Sequence, residues 1–150
     1  MLSYCPRKSW GTNPTQEMRR ADEWMKAIKS GAGPGRSPTS PYPVIARRMR
    51  ELARDDAAIG AVLRSAPAPV LVPVPRSSLP PPEPYFWPAR ELSRALVSAG
   101  YGTEVMTLLV RVRAVAKRAF GGARDFEEQA GSLGVTAAFP PDQPIVLVDD

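Results

Sequence analysis

A chain of 150 residues, 43% hydrophobic and 23% charged, carries enough apolar material for one α/β core and too much for wholesale disorder. It has no run near the ~20 apolar residues of a membrane span, no apolar stretch after Arg7-Lys8 that would make a secretory signal, and one cysteine, Cys5, which rules out an internal disulfide framework, so a cytoplasmic setting is expected. The lack of histidine removes Ser-His-Asp chemistry and nearly all zinc sites, while the net charge of +5 sits wholly in residues 1–68, which hold 12 basic and 6 acidic residues.

Residues 16–29 predict an amphipathic helix, with Met18, Ala21, Met25 and Ile28 at helical spacing. Residues 31–41, rich in Gly, Pro and Ser, read as a loop. A second helix is expected over 43–65, with Ile45, Met49, Leu52, Ile59 and Leu63 as its apolar stripe. Its other face bears Arg47, Arg48, Arg50 and Arg54, diluted by Glu51, Asp55 and Asp56, and reads as a solvated face in preference to a nucleic-acid surface. Ala66-Pro-Ala-Pro69 marks the boundary between a helical, hood-like segment (1–68) and an α/β domain (69–150).

Val70–Val74 reads as a buried strand despite Pro73, followed by a proline-rich loop over 75–85. Residues 88–99 predict a helix opened by Pro88 and closed by Gly100. Glu104–Val112 predicts a strand, or a strand with a bend. The stretch 114–134 predicts a mobile loop with one helical turn near 125–130, and 135–139 a short strand. Ile145-Val-Leu-Val148 is a buried-strand signal that delivers Asp149-Asp150 at its carboxyl end. The alternation implies a parallel sheet with strands from 70–74, 104–110 and 145–149 behind the N-terminal helices.

Ligands of such sheets bind beyond the carboxyl ends of the strands. Three segments fall there. Asp149 and Asp150 can accept hydrogen bonds from sugar hydroxyls or hold Mg²⁺. Arg76, Ser77 and Ser78 combine backbone amides, hydroxyls and a guanidinium suited to an anion. Between Val105 and Arg124 stand Arg111, Arg113, Lys117, Arg118 and Arg124 with no acid, and Phe120-Gly121-Gly122 supplies a hinge of the kind a lid needs.

Taken together, Val-Leu-Val-Pro-Val-Pro (70–75), Ala-Arg-Glu-Leu-Ser-Arg-Ala-Leu (89–96), Arg-Val-Arg (111–113) and Ile-Val-Leu-Val-Asp-Asp (145–150) resemble the type I phosphoribosyltransferases, most of all their ComF-like branch. The resemblance covers residues 69–150. It implies a Rossmann-like α/β domain and transfer of a phosphoribosyl group from phosphoribosyl pyrophosphate (PRPP) to a nucleobase-like acceptor, with release of pyrophosphate. It further implies Asp149 and Asp150 on the ribose hydroxyls, Arg76, Ser77 and Ser78 in the pyrophosphate loop, Arg111, Arg113, Lys117 and Arg118 near the mobile loop over pyrophosphate, and Mg²⁺ bound with PRPP. The family's Thr- and Gly-rich phosphate loop would follow Asp150, so the chain as given is expected to be impaired; the cysteine cluster of many ComF-like proteins is reduced to Cys5. The alternative is a non-catalytic module on the same fold that binds a nucleotide or nucleic acid. The acceptor base stays open, as does the oligomeric state, a homodimer included.

Overall fold

The computed structural model describes residues 13–63, 65–115, 126–139 and 142–149. Helix α1 (Gln16–Ser30) begins where the Thr15 hydroxyl accepts the Met18 amide, and it ends at Gly31, whose φ of 77° lets its own amide bond the Ala27 carbonyl. Helix α2 (Pro41–Asp55) starts on Ser40 with Pro41 in its first turn, where a missing N–H costs nothing. The single helix expected over 43–65 is two. Asp56 adopts an extended conformation, and its Oδ1 accepts the amides of Ala58 at 2.9 Å and Ile59 at 3.1 Å, capping helix α3 (Ala57–Leu63). Aspartate competes with helix continuation in this way because its short side chain can satisfy backbone donors itself.

Strand β1 (Val70–Pro73) is fully buried. It pairs in parallel with β4 (Ile145–Val148), Val70 opposite Ile145 through Pro73 opposite Val148. On its other edge, Leu71 bridges Val105 in parallel, donating to the Glu104 carbonyl and accepting from Met106. Helix α4 (Pro88–Ser98) connects the two segments. The chain is thus mixed α/β with a small parallel sheet.

The segment 104–112 is bent. The next parallel bond on this edge would need an N–H from Pro73, which has none. The Met106 carbonyl receives the Leu108 amide at 2.9 Å instead, and the chain turns away. Beyond the turn, β2 (Leu109–Arg111) pairs antiparallel with β3 (Leu133–Val135), which follows helix α5 (Phe126–Gly131). The parallel strand expected over 104–110 is therefore confined to the bridge at Val105, and the short strand expected over 135–139 lies earlier, at 133–135.

Alternation along β1 builds two apolar layers. Leu71 joins Ala46, Ala53, Leu96, Tyr101 and Val148 under α2, α3 and α4. Val70 and Val72 face Leu108, Met106 and Leu109 on the opposite side. Each fully buried Val or Leu side chain contributes roughly 1.5–3 kcal/mol. Gly102 sits against this core with φ 135°; a Cβ there would lie 2.8 Å from the Pro69 carbonyl oxygen and 3.0 Å from Leu71 Cγ. Strand β4, read from its sequence as a buried strand of the sheet interior, pairs only with β1 among the described residues and is buried on one face. Val146 and Val148 face the helices, while Ile145 is 37% and Leu147 60% exposed. An unbroken apolar run carries no mark of which face lacks a cover. No helix among the described residues is long and apolar enough to cross a membrane.

Candidate functional site

The parallel pairing of β1 and β4 brings both of their carboxyl ends to one edge. The Val74 amide donates to the Val148 carbonyl at 2.8 Å, after which residues 75–78 leave one strand and Asp149 the other. Segments some 70 positions apart in the chain so meet in space, as the parallel topology requires. Arg76 and Ser78 are exposed, Ser77 half-buried and Asp149 exposed. The Ser77 carbonyl accepts the Val115 amide at 2.9 Å, which ties the stretch after β2 to the same loop and leaves Arg113 exposed beside it. Lys117, Arg118, Phe120-Gly121-Gly122, Arg124 and Asp150 lie outside the described residues, as does Cys5.

Arg111 stands apart from the other basic residues of its stretch. It is 6% exposed, and its fork is engaged from three directions. Nε donates to the Arg76 carbonyl at 2.9 Å and Nη2 to the Pro75 carbonyl at 3.3 Å. Nη1 donates to the Ser132 hydroxyl and, at 3.5 Å, to the Gln129 carbonyl; the Ser132 hydroxyl in turn donates a hydrogen bond to that carbonyl at 2.6 Å. Burial lowers the guanidinium pKa, and the charge of Asp149 opposes that shift. The resemblance implies a place for Arg111 on or near the loop that covers pyrophosphate. The side chain holds the loop after β1 from beneath, with donors committed to the protein.

A cavity of about 210 Å³ adjoins the loop, between the proline-rich segment and the β2–β3 ribbon. Its aromatic wall is Tyr85 and Trp87, stacked with centroids 6.2 Å apart and planes 16° apart. The Trp87 indole N–H donates to the Val74 carbonyl at 3.1 Å, fastening this wall to the end of β1. Arg90, from the first turn of α4, lies with its guanidinium carbon 5.3 Å from the Tyr85 ring and 5.6 Å from the Trp87 ring. It donates to Glu83 Oε1 at 3.0 Å and to the Tyr85 carbonyl at 2.9 Å. Its Nε is buried with no hydrogen-bond partner; the Glu91 carboxylate, with Oε1 at 3.9 Å, and the electron-rich ring faces supply the nearby negative charge. Thr107 and Thr136 close the far side, the Thr136 hydroxyl donating to the Thr107 carbonyl at 3.0 Å. The Arg90 hydrogen bond and the Tyr85 backbone amide hold the Glu83 carboxyl below its ordinary range. Desolvation is the main force raising the Tyr85 phenol.

Of the lining, Arg76, Ser78 and Arg111 are singled out by the sequence, while Tyr85, Trp87 and Arg90 are not. The available signal was the run Tyr85-Phe86-Trp87, three of the chain's eleven aromatics in consecutive positions just before a helix start. Two of the four arginines on the basic face of α2 are engaged: Arg48 pairs with Glu51 at 2.5 Å, and Arg50 donates to the Ala99 carbonyl at 3.2 Å. Comparison with known proteins gives no match: no family model, no curated protein and no solved structure fits this chain. The function must be argued from the site itself.

Proposed function

We propose that the chain is phosphoribosyltransferase-like and binds PRPP at the shared edge of β1 and β4. The observation that carries this reading is the in-register parallel pairing of the two strands, after which Asp149 and the loop Arg76–Ser78 leave side by side. A carboxylate suits ribose hydroxyls. A guanidinium, two hydroxyls and loop amides suit a pyrophosphate. In the reaction the C1–oxygen bond to pyrophosphate breaks as a ring nitrogen of the acceptor forms its bond to C1, the bonding electrons leaving with pyrophosphate. No nucleophilic side chain or histidine is required; the protein orients the reactants and stabilises the leaving charge.

In this reading Asp149, with Asp150 next to it in sequence, accepts the ribose hydroxyls. Arg76, Ser77 and Ser78 receive the pyrophosphate. Arg113, and Lys117 and Arg118 further along the same stretch, supply positive charge over it. Arg111 is a positioning residue, fixing the carbonyls of Pro75 and Arg76 so that the loop keeps its shape. Mg²⁺ prefers carboxylate, phosphate and water oxygens, and Asp149 beside a bound pyrophosphate offers that donor set. When bound, the ion would neutralise pyrophosphate charge.

Titration calorimetry with PRPP and Mg²⁺ tests the proposal. Asp149→Asn and Arg76→Gln should each weaken binding by about tenfold, as expected for one charged hydrogen bond of ~1.5 kcal/mol. Unchanged affinity in both variants removes the reading. Salt-dependent binding of single-stranded nucleic acid with no PRPP binding would replace it with the non-catalytic alternative.

A further inference from the structure

The cavity beside the loop has three properties that bear on what it can hold. Its volume of about 210 Å³ falls below the roughly 300–1,000 Å³ of pockets for drug-sized ligands and suits one ring with a small substituent. Its wall of Tyr85 stacked on Trp87 offers a flat apolar surface for a ring. Its charge is in excess: three guanidinium groups, on Arg76, Arg90 and Arg111, meet one carboxylate in the lining, Glu83. Arg90 is neutralised by Glu83 at 3.0 Å and by Glu91, outside the lining, at 3.9 Å, so the excess rests on Arg76 and Arg111. Arg111 is held by neutral carbonyls and a hydroxyl, with Asp149 near it but outside the cavity lining. Arg76 is exposed and has no ion-pair partner among the described residues.

We propose that this cavity binds a small planar aromatic anion, its ring against Tyr85 and its carboxylate at Arg76. The role of that ligand rests on the transferase reading. Arg76 belongs both to the cavity and to the loop assigned to pyrophosphate, so a ring held here lies at the pyrophosphate end of the PRPP site. The affinity for the anion itself needs no PRPP.

The test uses pyridine-3-carboxylate and its neutral carboxamide as probes, each titrated into the chain and followed by NMR shifts. The carboxylate should bind at least about tenfold more tightly than the amide. Arg76→Gln should abolish that preference, and Tyr85→Leu should weaken both probes. Arg76 is exposed, so its variant should keep the parent's circular dichroism and melting curve. Equal affinity for the two probes, an unchanged preference in Arg76→Gln, or no binding of either probe up to about 10 mM overturns the proposal. Asp149→Asn separates the two readings. It should weaken PRPP and keep the preference for the carboxylate over the amide. A chain that binds the carboxylate but not PRPP keeps the anion site and loses the transferase role; one that binds PRPP but shows no preference for the carboxylate does the reverse.

Discussion

Replacing Arg111 with methionine should be among the most damaging single changes in this chain, although the residue touches no ligand in our reading. Methionine keeps the apolar stem and removes the fork. Two of the four hydrogen bonds are short, to the Arg76 carbonyl and the Ser132 hydroxyl, and two are near the distance limit, to the Pro75 and Gln129 carbonyls. Taking ~1.5 kcal/mol for each short bond from a charged donor and ~0.5 kcal/mol for each long one gives about 4 kcal/mol. Relief of burying the charge offsets part of that loss, and carbonyls left without donors add to it. For a domain of this size, about 4 kcal/mol lowers Tm by ~8–16 °C. Urea denaturation of the parent, Arg111→Met and Arg113→Met measures it. The exposed neighbour Arg113 should change stability by no more than ~0.5 kcal/mol. A loss below ~1 kcal/mol for Arg111→Met, or equal losses in the two variants, would show that the fork is solvated and that the loop after β1 stands without it.

Other outcomes follow from the same structure. Asp56→Ala should cost about 1 kcal/mol through loss of the α3 cap, read as a shift in the urea midpoint with an unchanged slope. Gly102→Ala should cost ~1–3 kcal/mol, because the positive φ and the Pro69 carbonyl both resist a Cβ; calorimetric melting checks it. The depressed carboxyl of Glu83 makes stability depend on acid. The unfolded chain binds the proton more readily, so this contribution is complete above the ordinary value of 4.5 and fades as pH falls through the folded value. Glu83→Gln should therefore flatten the fall in urea midpoint between about pH 6 and pH 3, and identical profiles would refute the Arg90–Glu83 link.

The helices were legible because their signals are local. Met18, Met25 and Ile28 at helical spacing, Pro88 before an apolar stripe, and glycines at 31 and 100 act within a few residues of where they stand. The strand-end site was legible for a topological reason: once 70–73 and 145–148 read as parallel strands, their carboxyl ends had to share an edge. What escaped depended on partners far off in sequence. Arg111 reads as one more basic residue in an unopposed run; only the carbonyls of 75, 76 and 129 turn it into a buried clamp. Asp56 reads as one acid among three on a polar face, and its capping role hangs on one side-chain rotamer. Tyr85, Trp87 and Arg90 form a wall because the indole reaches back to the Val74 carbonyl, a contact no local pattern announces.

Pro73 has a wider consequence for how the chain chooses its path. An ordinary residue there would offer the Met106 carbonyl a donor from the neighbouring strand, in competition with the Leu108 amide that now closes the turn. Two routes would then be open to residues 107–111: onward along the sheet edge, or outward into the ribbon with β3. Only the outward route brings the Arg111 fork under the loop that leaves β1. A single absent hydrogen thus acts as a railway switch, set before folding begins, and it commits the polypeptide to the branch on which the strand-end loop is supported.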